Sequence, residues 1–130
     1  MKRAAFLMCA FLVVIAPGCA PFVPVTDISK VLASDKSEAL NIRVFMLESS
    51  ASYPPISSVL GGVTAYSCKF LSTHPPASKG DALMRLRLEA LKLHADAIID
   101  VTFDTRGADP WGTNCWESVQ ATGQAVKLGS

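Results

Sequence analysis

The chain has 130 residues, of which half are hydrophobic, and its 12 Lys/Arg nearly balance 11 Asp/Glu. That length supports one small domain with a modest core. A near-neutral charge with no basic run of five or more residues argues against nucleic-acid binding and against attachment to membranes through a polybasic patch.

The first residues read as an address. Lys2 and Arg3 precede an uninterrupted apolar run of thirteen residues, Ala4 to Ala16. This is shorter than the roughly 20 residues of a membrane span and suits the apolar core of a secretory signal. Ala16-Pro17-Gly18 leads into Cys19. The Gly-Cys step resembles the lipobox of bacterial lipoproteins, in which that Cys becomes the acylated first residue of the mature chain. The lipobox favours Leu where Ala16 stands, and Ala16 and Gly18 also suit an ordinary signal peptidase cutting at the same bond. Cysteine number favours acylation. Of the four encoded, Cys9 leaves with the leader, and ordinary cleavage would leave three, one of them an odd thiol at the new N-terminus. Acylation of Cys19 leaves Cys68 and Cys115 as an even pair, the expected disulfide of an oxidising compartment. We therefore expect a signal peptide over 1–18 and a diacylated Cys19. Ala20, rather than a retaining Asp, follows that Cys, which places the anchor in the outer membrane with the domain facing the periplasm. Removing the leader changes the net charge to −1, since it carries two Lys/Arg and no acid.

From Ala20 to about Ala39 the apolar pattern fades among Pro21, Pro24, Asp27, Ser29, Ser34 and Asp35. The expected organisation is a lipidated Cys and tether over 19–40, with some local helix around Ile28 to Leu32, and a folded domain over 41–130. Asn41 to Met46 reads as a first strand. Glu48 to Ser58 is a Ser-rich loop stiffened by Tyr53-Pro54-Pro55. Leu60 to Phe70 is a second strand, with a bulge or close backbone approach at Gly61-Gly62. Leu71 to Lys79 is a loop ended by His74-Pro75-Pro76.

Ser78-Lys79-Gly80-Asp81 is a helix N-terminus, a capping Ser with an acid three residues on. Leu83, Leu86, Ala90 and Leu93 make one apolar stripe, with Met84, Leu88 and Leu91 beside it; Arg85, Glu89, Lys92 and Asp96 collect opposite, at ion-pairing steps. The period then changes to two: Ala97, Ile99, Val101 and Phe103 alternate with Ile98, Asp100, Thr102 and Asp104. So abrupt a stop calls for a left-handed residue, and His94 is the best fit because His is enriched at positive φ. Arg106 to Asn114 is turn-rich, and Cys115 to Lys127 is the last strand, with Val119, Ala121 and Ala125 on one face and Gln120, Thr122 and Gln124 on the other. The order β-β-α-β-β, closing in an antiparallel hairpin, makes an α+β domain with one helix on a mainly antiparallel sheet.

Motifs that carry chemistry are missing: no HExxH, CxxC, P-loop, GxGxxG or GxSxG occurs. His74 is a solvated loop residue by this reading and His94 a structural one. No Cys/His spacing suits zinc. Asp96, Asp100, Asp104 and Asp109 could be imagined as oxygen ligands, but strand spacing makes Asp100 and Asp104 markers of a wet face rather than convergent ligands. Nothing near Cys68 or Cys115 suggests a depressed thiol pKa. No catalytic residue, metal or cofactor is expected. Trp111, at the tip of the last hairpin, is the candidate partner contact, because Trp is enriched at interface hot spots; its other reading is a ring folded over its own loop.

Ile42-Arg43-Val44-Phe45, Tyr66-Ser67-Cys68, Ala95-Asp96-Ala97-Ile98 and Asn114-Cys115-Trp116, together with the lipobox, give the chain a pattern that resembles the RcsF family of outer-membrane lipoproteins. The helix-to-strand switch is also similar to that of YbjQ-like domains, often called putative heavy-metal-binding, and the two cysteines favour RcsF. The resemblance implies a non-enzymatic sensor of envelope stress that signals to the Rcs phosphorelay by changing protein partners. Those implied are the BAM assembly machinery, outer-membrane β-barrels and an inner-membrane Rcs regulator. It implies a Cys68–Cys115 bridge as well. A second bridge of the family falls here on Phe103 and Ala121, which we expect to face each other across the final hairpin on the helix side. The tether is shorter and less basic than the family's. A YbjQ-like small-ligand or metal-binding lipoprotein is the alternative, and a thiol-redox enzyme the third.

Overall fold

A computed structural model describes residues 25–49, 52–108 and 111–130. The leader, Cys9, Cys19, the cleavage position and Asp109 lie outside the described residues. Four strands, β1 (Arg43–Met46), β2 (Ile56–Lys69), β3 (Ala97–Arg106) and β4 (Glu117–Leu128), form one sheet in the order β1-β3-β4-β2. β3 and β4 are an antiparallel hairpin, β2 adds antiparallel to β4, and β1 runs parallel to β3. The helix α2 (Lys79–Lys92) covers one face, so the domain is α+β with the expected order of its main elements.

The helix begins where the cap chemistry requires. Ser78 is extended, and its side chain accepts the Asp81 N–H at 3.1 Å. Its buried face is Ala82, Leu86, Leu88 and Ala90. Leu93 departs from the expected stripe and is exposed, because helical pairing stops at Lys92 and Leu93 is already the cap. His94 takes the left-handed conformation at φ 55°. Its N–H donates to the Leu91 carbonyl at 2.8 Å, and the Ala95 N–H reaches back to the Ala90 carbonyl at 3.1 Å. These are the two bonds that close a Schellman turn.

Two expectations are corrected. Beyond the local helix expected near Ile28, which is a 3-10 turn over Ile28–Lys30, the stretch assigned to a tether contains an eight-residue helix, α1 (Ala33–Leu40), which lies against α2 and buries Ala39 completely. The folded unit therefore starts near residue 33 rather than 41. Only Ala39 is buried, so this helix has almost no apolar period to reveal it.

The second correction concerns β3. Between Ile99 and Thr102 two residues, Asp100 and Val101, oppose the single Gly123 of β4, and the same extra residue interrupts pairing with β1. Asp100 sits in this bulge at φ 54°. One inserted residue reverses the parity of everything after it. Ala97 and Ile99 thus pack with Val126, Phe45 and Tyr53 on the face away from the helix, while Ile98, Val101 and Phe103 join the helix-side core with Val63, Leu86 and Val119. An uninterrupted alternation had put Ala97, Ile99, Val101 and Phe103 together.

Phe103 does pair with Ala121, and both belong to the helix-side core. β2 starts four residues earlier than expected, at Ile56, and bulges between Val59 and Gly61, where Gly61 adopts φ 150°.

Candidate protein-docking surface

One corner of the sheet is pinned covalently. Cys68, near the end of β2, is bonded to Cys115, just before β4, with their Cα atoms 5.5 Å apart. The Trp116 N–H donates to the Lys69 carbonyl at 2.8 Å, extending the ladder beyond the bridge. The approach to this corner bends through Gly112 and Asn114, at φ 71° and 55°. Thr113 and Cys115 point inward, and Asn114 and Trp116 outward. Trp116 is therefore 65% exposed on a backbone held by the disulfide, next to a β2 exit whose Phe70 and Leu71 are 41% and 54% exposed. A large exposed ring on a fixed backbone offers much contact area with few torsions to freeze, the property that enriches Trp at interfaces.

Trp111, the expected contact, is less exposed than Trp116. Its ring tilts against Tyr66 at 5.6 Å and is half-buried. The signal that would have found Trp116 is alternation: a neighbour of a buried disulfide Cys on an extended segment must face out.

Beneath the corner, a polar joint fastens α2 to the sheet. Buried Ser67 accepts the Ser78 N–H at 3.0 Å and donates to Asp81 at 2.7 Å, and Asp81 also accepts from Arg85 Nε at 3.0 Å. These groups and Cys68, His74, Pro75 and Pro76 line a cleft of about 310 Å³. Arg85 Nη1 is buried there with no partner among the described residues. His74 is an exposed loop residue whose N–H donates to the Leu71 carbonyl.

The aspartates do not converge. Asp96, expected on the helix's charged side, lies beyond its end and accepts from Lys127 Nζ at 2.9 Å and the Leu128 N–H at 3.1 Å. The bond from Lys127, and then that from Leu128, hold its carboxyl below the usual range. Asp100 accepts from the Tyr53 hydroxyl at 2.5 Å, and that bond raises the phenol's pKa. Asp104 pairs with Arg106 at 3.0 Å. Among the described residues no three His, Cys, Asp or Glu cluster as metal ligands would, and no helix is long and apolar enough to cross a membrane.

No described protein family matches the chain, and no curated protein matches it in sequence. Among solved structures, it is similar to a protein of unknown function of the DUF74 family from Pediococcus pentosaceus ATCC 25745. The two share 17% identity over 68% of this chain and 98% of that one, with a TM-score of 0.49.

Proposed function

We propose that this chain is an outer-membrane lipoprotein of the RcsF type, a non-enzymatic sensor that reports envelope stress to the Rcs phosphorelay through protein–protein contact. The observation that supports this reading is Trp116, held outward beside the Cys68–Cys115 bridge with Phe70 and Leu71 nearby. Acylated Cys19 would anchor the domain, and several acyl chains give stable attachment where one does not. With α1 part of the folded unit and Ile28–Lys30 in a turn, the tether spans residues 20–32 at most and reaches less than about 45 Å. BAM components and β-barrels lie within such a reach in the outer membrane.

The test is photo-crosslinking from position 116 in intact cells, with Trp116→Ala assayed on a phosphorelay reporter. A crosslinked BAM component, barrel or Rcs regulator, and a reporter response reduced by the substitution at normal protein level, are expected. A null mutant with normal envelope responses would defeat the proposal. A Cys19→Ser variant that stays on the membrane would defeat the anchor.

A further inference from the structure

On the side away from β1 the sheet ends at β2, and among the described residues no strand covers its outer edge. About half the backbone N–H and C=O groups of an edge strand point outward without a ladder partner. Proteins guard such edges with brevity, charge or proline. β2 runs fourteen residues, and from Ile56 to Cys68 it has neither a charged side chain nor a proline. Bulges distort its first third, but from Gly62 to Lys69 its pairing with β4 is unbroken. At the start of this regular stretch the C-terminal end of α2 lies beside the strand. Gly62, Val63 and Thr64 on the strand, with Glu89, Lys92 and Leu93 at the end of the helix, line a groove of about 240 Å³. Lys92 and Glu89 neutralise each other at 2.8 Å, and Leu93 is left 39% exposed above the strand.

We propose that this groove binds an extended, uncharged segment of another protein, which adds to β2 as a fifth strand. An extended backbone supplies a row of donors and acceptors at the spacing the free edge needs. The exposed Leu93 gives an apolar seat to a side chain of that segment on the helix side. The internally paired charges of the wall provide nothing to attract an acidic or basic one. Self-pairing of two copies through this edge is the competing outcome, which the test below separates. The proposal does not rest on the Trp116 corner, so either surface can fail without the other.

The probe is a capped peptide with the sequence of Ser118–Val126, an uncharged segment that already pairs with β2 on its other edge. Titrated into the isotopically labelled full chain, it should shift the amides of residues 62–69 and 89–93 saturably. Outward amides of β2 should exchange about tenfold more slowly at saturation. The same peptide N-methylated at alternate residues should not bind. Leu93→Glu should weaken binding tenfold or more, with a melting temperature close to that of the parent. Equal binding of the methylated peptide, no saturable response, or self-association of the chain through these same amides would each overturn the proposal.

Discussion

Gly123 is the position at which the bulge of β3 makes its sharpest demand. It lies on the helix-side parity of β4, between Thr122, which pairs with Thr102, and Gln124, which pairs with Ile99. The bulged segment is pushed against it. A Cβ at position 123 would come within 2.7 Å of Ile98 Cγ2, 3.0 Å of the Ile99 carbonyl oxygen and 3.1 Å of Val101 Cγ2. Two of these neighbours are β-branched and stiff at χ1, and the third is backbone, so none can move aside cheaply. Gly123→Ala should therefore fall in the upper part of the usual overpacking range, about 2–3 kcal/mol. For a domain of this size that lowers the melting temperature by about 8–20 °C. Gly62→Ala is the control. It pairs with Gln124 in the adjoining row, yet an added Cβ there meets nothing within 4 Å. It should change stability by less than about 0.5 kcal/mol. Urea unfolding of the three proteins under one condition decides the matter. If Gly123→Ala is as stable as the parent, the bulge does not press on β4 and the parity reversal in β3 is wrong.

Replacing both Cys68 and Cys115 by Ser opens a loop spanning 47 positions. It should cost about 4 kcal/mol on the chain-entropy account, read from urea midpoints of oxidised parent and variant. His94→Gly relieves a left-handed residue at φ 55°. Since that conformation costs an L-residue about 1–2 kcal/mol and Gly returns part of this as unfolded-state entropy, the variant should gain up to about 1 kcal/mol, whereas His94→Val should lose stability. Asp96 has its folded pKa lowered beneath 3.8, chiefly by Lys127. Its contribution is thus present above that value and is lost as pH falls through the folded pKa. Asp96→Asn should be the less stable protein near neutrality and should converge with the parent in acid, followed by unfolding midpoints across the pH range.

Local chemistry was enough to locate the helix and both its ends. The Ser78 cap and the left-handed His94 act through bonds to residues within five positions, so neighbours in the chain contain the whole cause. The pairing of Phe103 with Ala121 was expected from the family resemblance, in which a second bridge falls on these two positions, rather than from local chemistry. Three features depended on tertiary structure. The Asp100 bulge exists because β3 must pair with β1 and β4 at once while Tyr53, 47 positions away, holds the Asp100 carboxyl; alternation alone continues the period through it. α1 has a weak apolar period and is stabilised by α2, a surface absent from its own sequence. Which tryptophan is the more exposed was decided by Tyr66, distant in the chain, which packs on Trp111, and by the bridge to Cys68, which fixes the backbone that turns Trp116 outward. Caps and turns are short-range and can be read from residue order. Bulge parity, the docking of a weak helix and the exposure of a particular ring depend on which distant surfaces meet, and only the assembled sheet determines that.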